Sequence, residues 1–265
     1  MRITILGVRG SIPIEGERVR EFGGATSCVL VEAGGQNIFL DAGTGMLNTP
    51  ALDSGDISIL ITHSHMDHLL GLPFFPSLYI SGKRVDIYLR TRNGLTAKGQ
   101  IDSLFSPPAW PCLMEDNRAE VVYHDLECPF MLGDVKVRGM EGNHPGGSTV
   151  YRLEYNGASF VYATDFEYSE DAAKELIEFA GDTDLLIFDS QYTDEEYTNC
   201  KGFGHSTAAS GLSIYKRSRA KKLRFFHHAP NHDDEFLRRL EADVIEKNGG
   251  GDAVLYARQG EVIEL

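Results

Sequence analysis

The chain has 265 residues, of which 42% are hydrophobic and 24% are charged, and its formal net charge is −14. A chain of this size and composition can bury a substantial core, so we expect a single domain spanning residues 1–265. The negative charge argues against a broad nucleic-acid surface, because such a surface depends on clustered Lys and Arg. Because no apolar stretch is as long as a membrane span, a cytoplasmic protein without membrane contact is expected.

The first half of the chain is predicted to be rich in β-strands. Short apolar or β-branched runs separated by glycine-rich turns predict strands at residues 2–8, 28–32, 36–40, 57–62 and 85–89. Residues 68–80 have a helical pattern that its two prolines must break or kink. Residues 93–118 are interpreted as a loop with Trp110 near its tip, and covering a binding site is one role for it.

In the second half, predicted strands are joined by predicted helices. The strands are expected at residues 120–124, 134–139, 149–155, 158–163, 184–188, 223–227, 253–256 and 261–264. Helices are predicted at residues 169–180, after His205 and at residues 233–247. Strands first, followed by alternating strands and helices, indicate an α/β fold in which two sheets pack face to face with helices outside.

The segment His63-Ser64-His65-Met66-Asp67-His68 directly follows a predicted apolar strand. Residues at i and i+2 of an extended chain point the same way, so His63 and His65 are predicted to bind one metal ion. Asp67 and His68 lie where the chain turns and suit a second ion. A single His-x-His pair is as often hydrogen-bonded as metal-binding, but four ligand-type residues in six positions favour a metal site.

This segment resembles the His-x-His-x-Asp-His signature of the metallo-β-lactamase-fold hydrolases, whose fold is a four-layer αββα sandwich. The resemblance extends over essentially the whole chain. Two further stretches, Leu6-Gly7-Val8-Arg9-Gly10-Ser11-Ile12-Pro13 and Leu40-Asp41-Ala42-Gly43-Thr44-Gly45, resemble the branch that contains tRNA 3′-processing endonucleases and cyclic-phosphate phosphodiesterases. The family therefore implies an αββα sandwich and a dinuclear metal site.

The family pattern also implies a third histidine for the first metal ion and an aspartate that bridges both ions. Asn143-His144-Pro145-Gly146-Gly147 provides His144 at a turn, and the strand that ends in Ala163-Thr164-Asp165 provides Asp165. Either residue alone would more often be structural. Their order behind the first motif makes the two assignments support each other.

The last ligand of the second metal ion is either His227 or His228. Alternation along the preceding strand puts these two side chains on opposite faces, which does not by itself select one. The phrase Gly204-His205-Ser206-Thr207 and the sequence after it resemble the tRNA-processing branch, and in that register the ligand is His227. His228 is kept as the alternative.

The resemblance also assigns a catalytic role to His205. In the phosphodiesterase-like branch, the histidine of this phrase lies near the leaving group, where it can donate a proton or stabilise charge. Asp189 occupies the place of that branch's acidic partner and would orient His205. The competing interpretation is that His205 only begins a helix.

The predicted site holds two divalent cations, with zinc expected and manganese or iron as alternatives. Five imidazoles, two carboxylates and two dications leave a formal charge of +2, or +1 after a bridging hydroxide forms. Such a pocket attracts anions and suits phosphodiester hydrolysis by that hydroxide. Asp67 is assigned to orient the attacking water or accept its proton. Arg9 is a candidate phosphate contact, with a surface arginine as the alternative.

The predicted substrate is small. The tRNA-processing members carry a long arm between the third histidine and the bridging aspartate, whereas residues 145–164 accommodate only two strands and a turn. Together with the acidic composition, this predicts a small anionic phosphoester as partner: a cyclic nucleotide, a cyclic phosphate or a short oligonucleotide. No extended nucleic-acid surface is expected, and a homodimer is compatible with the sequence.

Two other functions remain open at this point. A metal-bound hydroxide can also attack a carbonyl, so a lactone or another carboxylic ester or amide is the alternative substrate. A non-catalytic binding or scaffold protein is the third interpretation. Scaffold relatives often lose ligands, and here the sequence supplies a residue for each ligand position.

Overall fold

The computed structural model describes residues 1–52 and 56–265, and within these ranges the chain forms fourteen β-strands. In chain order they are β1 (Arg2–Gly7), β2 (Cys28–Ala33), β3 (Gln36–Leu40), β4 (Asp56–Leu60), β5 (Arg84–Leu89), β6 (Glu120–Asp125), β7 (Phe130–Leu132), β8 (Val135–Gly142), β9 (Ser148–Tyr155), β10 (Ala158–Ala163), β11 (Leu185–Asp189), β12 (Lys222–Phe226), β13 (Val254–Tyr256) and β14 (Val262–Glu264).

These strands form two sheets of seven. The order is β14-β1-β2-β3-β4-β5-β6 in the first sheet and β13-β12-β11-β10-β9-β8-β7 in the second. In the first sheet β3 to β6 are parallel, and in the second β10 to β13 are parallel. Loops at the carboxyl ends of these parallel strands therefore lie at one edge of each sheet, where α/β proteins commonly bind ligands.

Five α-helices of the described part of the chain lie outside the sheets. They are α1 (Ala97–Leu104), α2 (Glu170–Phe179), α3 (Asp194–Cys200), α4 (Ala208–Ser218) and α5 (Asp234–Lys247). Each helix begins after a side chain that accepts a hydrogen bond from the backbone of its first turn, a preference shared by Ser, Thr and Asp. These capping residues are Thr96, Ser169, Thr193, Thr207 and Asp233.

The buried apolar side chains of the described residues form three hydrophobic clusters. One cluster, which includes Ile5, Val29, Tyr162 and Ile187, fills the space between the sheets. A second cluster packs the outer face of the first sheet against α1 and the chain before it, and a third packs the second sheet against α2, α4 and α5. The predicted αββα four-layer sandwich is confirmed.

Several local predictions differ from the structure. Residues 68–80 form short 3₁₀ turns instead of a helix, because Pro73 and Pro76 interrupt the hydrogen-bond ladder. The predicted loop at 93–118 contains α1, and Trp110 packs edge-on against Phe74 and Phe105 with ring centroids 5.5 and 5.6 Å apart. The short strand β7 and the acidic helix α3 were not predicted, since neither has a clear hydrophobic period.

Helices in residues 1–52 and 56–265 lack the combined length and apolar character that a bilayer crossing requires. The cytoplasmic location stays a prediction.

Candidate metal centre

The predicted site residues converge where strands of both sheets end. His63 follows β4, Asp165 follows β10, and His227 directly follows β12, while Asp189 is the last residue of β11. His144 comes from the turn between β8 and β9. The two sheets thus bring together residues that are up to 164 positions apart in the chain.

Backbone strain is concentrated at this edge. Ser11, Asp41, Asp165 and His227 have φ angles of 64°, 61°, 52° and 63°, in the left-handed region that costs energy for residues other than glycine. All four contact the site or its ligands. The surrounding fold holds these backbones in place, as is common at functional sites.

The first ligand cluster consists of His63, His65, His144 and Asp165, whose ligand atoms all lie within 4.8 Å of one another. His144 Nε2 is 3.2 Å from His65 Nδ1. Asp165 Oδ1 is 3.8 Å from His63 Nε2 and 3.9 Å from His144 Nε2. Tetrahedral zinc with bonds of about 2.0–2.1 Å places its ligands about 3.3 Å apart, close to this arrangement.

The second cluster consists of Asp67, His68 and His227, and Asp165 joins it to the first. Asp67 Oδ2 is 3.3 Å from His68 Nε2 and 3.1 Å from His227 Nε2. Asp165 Oδ2 is 3.1 Å from His68 Nε2 and 3.3 Å from His227 Nε2. One oxygen of Asp165 therefore faces each cluster, which is the geometry that a bridging carboxylate requires.

Four of these histidines have Nδ1 against an oxygen atom of the protein. The pairs are His63 with Thr62 Oγ1 at 3.0 Å, His68 with Asp41 Oδ2 at 2.8 Å, His144 with the Gly204 carbonyl at 2.9 Å, and His227 with Gln191 Oε1 at 3.1 Å. Such acceptors fix the proton on Nδ1 and leave the Nε2 lone pair for a metal ion. The tautomers therefore suit coordination through Nε2.

The buried Nε2 atoms of His63 and His68 indicate whether the two histidine and aspartate clusters can hold a cation. Both atoms lack a hydrogen bond with acceptable geometry among the residues that the structure describes. Buried polar atoms are normally satisfied, so lone pairs left open toward several carboxylate oxygens indicate an electrophile between them. The donor set of imidazole and carboxylate matches catalytic divalent metals.

The pKa shifts differ between the two clusters. Burial lowers the pKa of His63, His65 and His144, so these three rings are neutral. Burial opposes a charge on His68 as well, but Asp165 and other carboxylates outweigh it and raise its pKa. Burial would raise the pKa of Asp67, yet the nearby imidazoles lower it overall, so Asp67 is ionised.

His205 and Asp189 form a buried pair beside the two clusters. His205 Nδ1 is 2.8 Å from Asp189 Oδ2 and 3.8 Å from Asp165 Oδ1, and its ring stacks on His227 at 4.8 Å. Burial by itself lowers the pKa of His205, but Asp189 outweighs it and the pKa rises to about 9. Because Nδ1 is used by Asp189, Nε2 is the atom left for a substrate.

A cavity of about 500 Å³ opens onto the centre. Its lining residues are Ser11, Ser64, His65, Met66, Asp67, Leu104, Asp165, His205 and His227. Leu104 is the last residue of α1, so the insertion at residues 93–118 contributes to the wall through this helix. Trp110 is held by packing within the insertion and is absent from the lining among the described residues.

His227 and His228 have separate environments. His227 lies in the second cluster, while His228 is fully buried, is 2.9 Å from the Ala257 carbonyl through Nε2, and meets the Phe22 ring edge-on. The alternative ligand therefore sits in the packed interior, where it links the end of β12 to the chain after β13.

Both interpretations of Arg9 are wrong. The side chain is fully buried instead of lying at the surface, and its guanidinium bonds to the carbonyl oxygens of Gly23, Ala229 and His232. Burial lowers its pKa to about 10, which still leaves it protonated at neutral pH. Arg9 joins the loop after β1 to the loop after β12 and does not face the cavity.

Three residues near the centre were not assigned from the sequence. Asp41 bonds to His68 and, through Thr62, connects to His63. Gln191 bonds to His227 and to Ser11. The phrases containing Asp41 and Ser11 carried part of the family resemblance, but no role was drawn from them for either residue. Gln191 has no local signal, because its partners are distant in the chain.

With this geometry in place, comparison with known proteins identifies the family. A model of the Beta-lactamase superfamily domain matches residues 36–228. The chain belongs to the beta-lactamase superfamily. The prediction of a metal-dependent hydrolase of this superfamily is confirmed, and His/Asp clusters able to hold a divalent metal are present in the structure.

Relatives and solved structures within the beta-lactamase superfamily give the same fold. The chain is 26% identical to "Ribonuclease Z" of Pyrococcus horikoshii over 77% of this chain and 80% of that protein. The structure is similar to YhfI of Bacillus subtilis, with a TM-score of 0.74 and 20% identity over 100% and 98% of the two chains. Human tRNase Z, short form, has a TM-score of 0.70 at 20% identity, covering 100% and 99%.

One prediction about partners is wrong. A small anionic phosphoester and the absence of an extended nucleic-acid surface were expected, but similar curated proteins are named ribonuclease Z or endoribonuclease. The expectation relied on the short segment at residues 145–164, which has no room for an arm, and on a net charge of −14, which sums the whole chain. Nucleic-acid binding depends instead on the charge near the site, and the summed composition does not resolve it.

Proposed function

We propose that the chain is a ribonuclease: a metal-dependent phosphodiesterase that cleaves RNA at the His/Asp centre. The observation that carries the proposal is that Asp165 turns one oxygen to each histidine cluster, beside the buried His205–Asp189 pair. The relatives named ribonuclease Z support RNA as the substrate class. We also propose that residues 1–265 act as one hydrolase domain, since β14 pairs with β1.

The proposed ligands form two sets that share one carboxylate. His63, His65 and His144 would hold one divalent ion, Asp67, His68 and His227 the other, and Asp165 would bridge them. Zinc is the proposed metal, with manganese or iron as alternatives, because imidazole and carboxylate donors suit all three. Bound ions would supply a water nucleophile of lowered pKa and positive charge for the oxygens of an in-line displacement.

The protein groups then have distinct tasks. The carboxylate of Asp67 accepts a hydrogen bond from the Ser11 backbone at 2.8 Å, and its lowered pKa makes it a weak proton acceptor. Asp67 is therefore proposed to orient the attacking water. His205 is proposed to donate a proton from Nε2 to the leaving oxygen, while Asp189 holds Nδ1.

The experiment compares cleavage of a short single-stranded RNA and of bis-p-nitrophenyl phosphate with hydrolysis of a lactone panel, after loading with zinc or manganese. His63→Ala should abolish RNA cleavage. His124→Ala is the matched control, because His124 lies on β6 and pairs with Asp86 outside the centre. Hydrolysis confined to lactones would refute the proposal, as would RNA cleavage that survives in the His63→Ala protein.

A further inference from the structure

Ser11 occupies a fixed position at the wall of the cavity. It follows β1, lines the cavity, and has a φ of 64°. Its backbone N–H donates to Asp67 Oδ2 at 2.8 Å. The preceding Gly10 packs so closely on the His227 ring that a Cβ there would lie 2.4 Å from Nδ1. The loop is therefore seated directly on two of the proposed ligands.

The hydrogen bonds from His227 to Ser11 run in one direction. If His227 coordinates through Nε2, its proton is on Nδ1, which then donates to Gln191 Oε1 at 3.1 Å. The oxygen of the Gln191 amide thus faces His227, and its NH₂ group faces Ser11 and donates to Oγ at 3.1 Å. Gln191 is itself buried, so this amide is held in one orientation.

The Ser11 hydroxyl therefore accepts a hydrogen bond from Gln191, and its own O–H proton can still be donated to another group. Within residues 1–52 and 56–265, hydrogen bonds to Ser11 Oγ are limited to the one from Gln191. The residue is exposed and borders the cavity beside Asp67 and Asp165, whose oxygens are assigned to metal ions. The O–H group can therefore donate to an acceptor that enters the cavity.

We propose that the Ser11 hydroxyl donates a hydrogen bond to a non-bridging phosphate oxygen of the bound substrate. This role rests on the proposed function, and it makes Ser11 a substrate-binding residue that the three-residue relay His227–Gln191–Ser11 orients. A charged oxygen of the tetrahedral phosphate group is the acceptor that fits, because hydrogen bonds to charged groups are stronger than those between neutral groups. The same loop then serves the metal centre through its backbone and the substrate through its side chain.

The test is calorimetric titration of inorganic phosphate into the metal-loaded protein. Ser11→Gly removes the hydroxyl, keeps the backbone N–H to Asp67 and relieves the positive φ, so folding and metal content should be retained. Phosphate affinity should fall roughly ten- to hundred-fold, the range of a hydrogen bond to a charged group. Ser11→Asn tolerates a positive φ and restores a donor, so it should bind phosphate more tightly than Ser11→Gly.

Two results would overturn the inference. Equal phosphate affinity in the wild type and Ser11→Gly would show that the hydroxyl does not contact the anion. Loss of metal from Ser11→Gly would show that the residue acts only through the metal ligands.

The failure of the role of Ser11 can be told apart from the failure of the proposed function. If the wild type fails to cleave phosphodiesters while Ser11→Gly still weakens phosphate binding, the proposed function fails and the role of Ser11 stands. If the wild type cleaves phosphodiesters while Ser11→Gly binds phosphate normally, the role of Ser11 fails and the proposed function stands.

Discussion

Asp189 Oδ2 accepts a hydrogen bond from His205 Nδ1 at 2.8 Å and another from the backbone N–H of Asp165 at 3.0 Å. Its second oxygen accepts from the backbone of Gln191 and Ser206. One buried carboxylate thus connects His205, Asp165 and the loop that leads into α4. The same side chain holds the His205 ring and fixes the backbone on either side of it.

His205→Ala should slow turnover without removing metal. The ring stacks on His227 and its Nδ1 is committed to Asp189, so His205 is not expected to be a ligand. Loss of a general acid lowers kcat by roughly 10²–10⁴-fold. Steady-state kinetics with a short RNA, whose leaving alkoxide needs a proton, together with elemental analysis of metal, would check this expectation. A protein that loses metal would show that the assignment of His205 is wrong.

Asp189→Asn should lower both stability and activity. Whichever way the new amide is turned, its NH₂ group meets backbone N–H donors that the carboxylate now satisfies. The free energy of unfolding should fall by about 2 kcal/mol, the typical cost of leaving a buried donor unsatisfied. Urea denaturation measures it. The control is Asp182→Asn, because Asp182 is an exposed partner of Arg219 and its replacement should leave the free energy of unfolding nearly unchanged. Equal losses in both variants would contradict the prediction.

Replacing each of the adjacent histidines separates a ligand from a packing residue. His227→Ala should reduce the bound metal, because its Nε2 faces Asp67 and Asp165. His228→Ala should keep the metal and lose about 2–4 kcal/mol of unfolding free energy, since a fully buried ring and its hydrogen bond are removed. Elemental analysis and urea denaturation give the two readouts. The opposite pattern would make His228 the ligand.

Arg9→Met should destabilise the fold and leave substrate affinity unaltered. The substitution removes the donors for the carbonyl oxygens of Gly23, Ala229 and His232, all in the interior. A loss of about 3 kcal/mol or more in unfolding free energy is expected, because each buried carbonyl oxygen left without its donor costs about 1–3 kcal/mol. Urea denaturation would show the loss, and KM would be compared below the unfolding transition. A raised KM in a protein of normal stability would restore Arg9 as a phosphate contact.

The sequence predicts those features that depend on residues close to one another in the chain, such as ligand spacing and helix capping. The spacing of His63, His65, Asp67 and His68 predicts ligands on one short segment, and the structure brings their side chains together. The starts of α2, α4 and α5 are predicted within one to three residues, because the capping side chains Ser169, Thr207 and Asp233 adjoin the helices that they cap. Family resemblance supplied His144, Asp165, His205 and Asp189, which no local pattern would have selected.

The sequence by itself determined the layered α/β architecture and the donor types of the centre, since hydrophobic periodicity and ligand spacing depend on near neighbours. Only the tertiary structure decided that Arg9 is an interior tie, that His228 packs while His227 faces the carboxylates, and that Gln191 relays His227 to Ser11. These contacts join residues as much as 223 positions apart, and those of Ser11 and His227 also depend on left-handed backbone at these two residues. Composition and residue spacing encode neither the long-range contacts nor the left-handed backbone, because both arise when the two sheets pack.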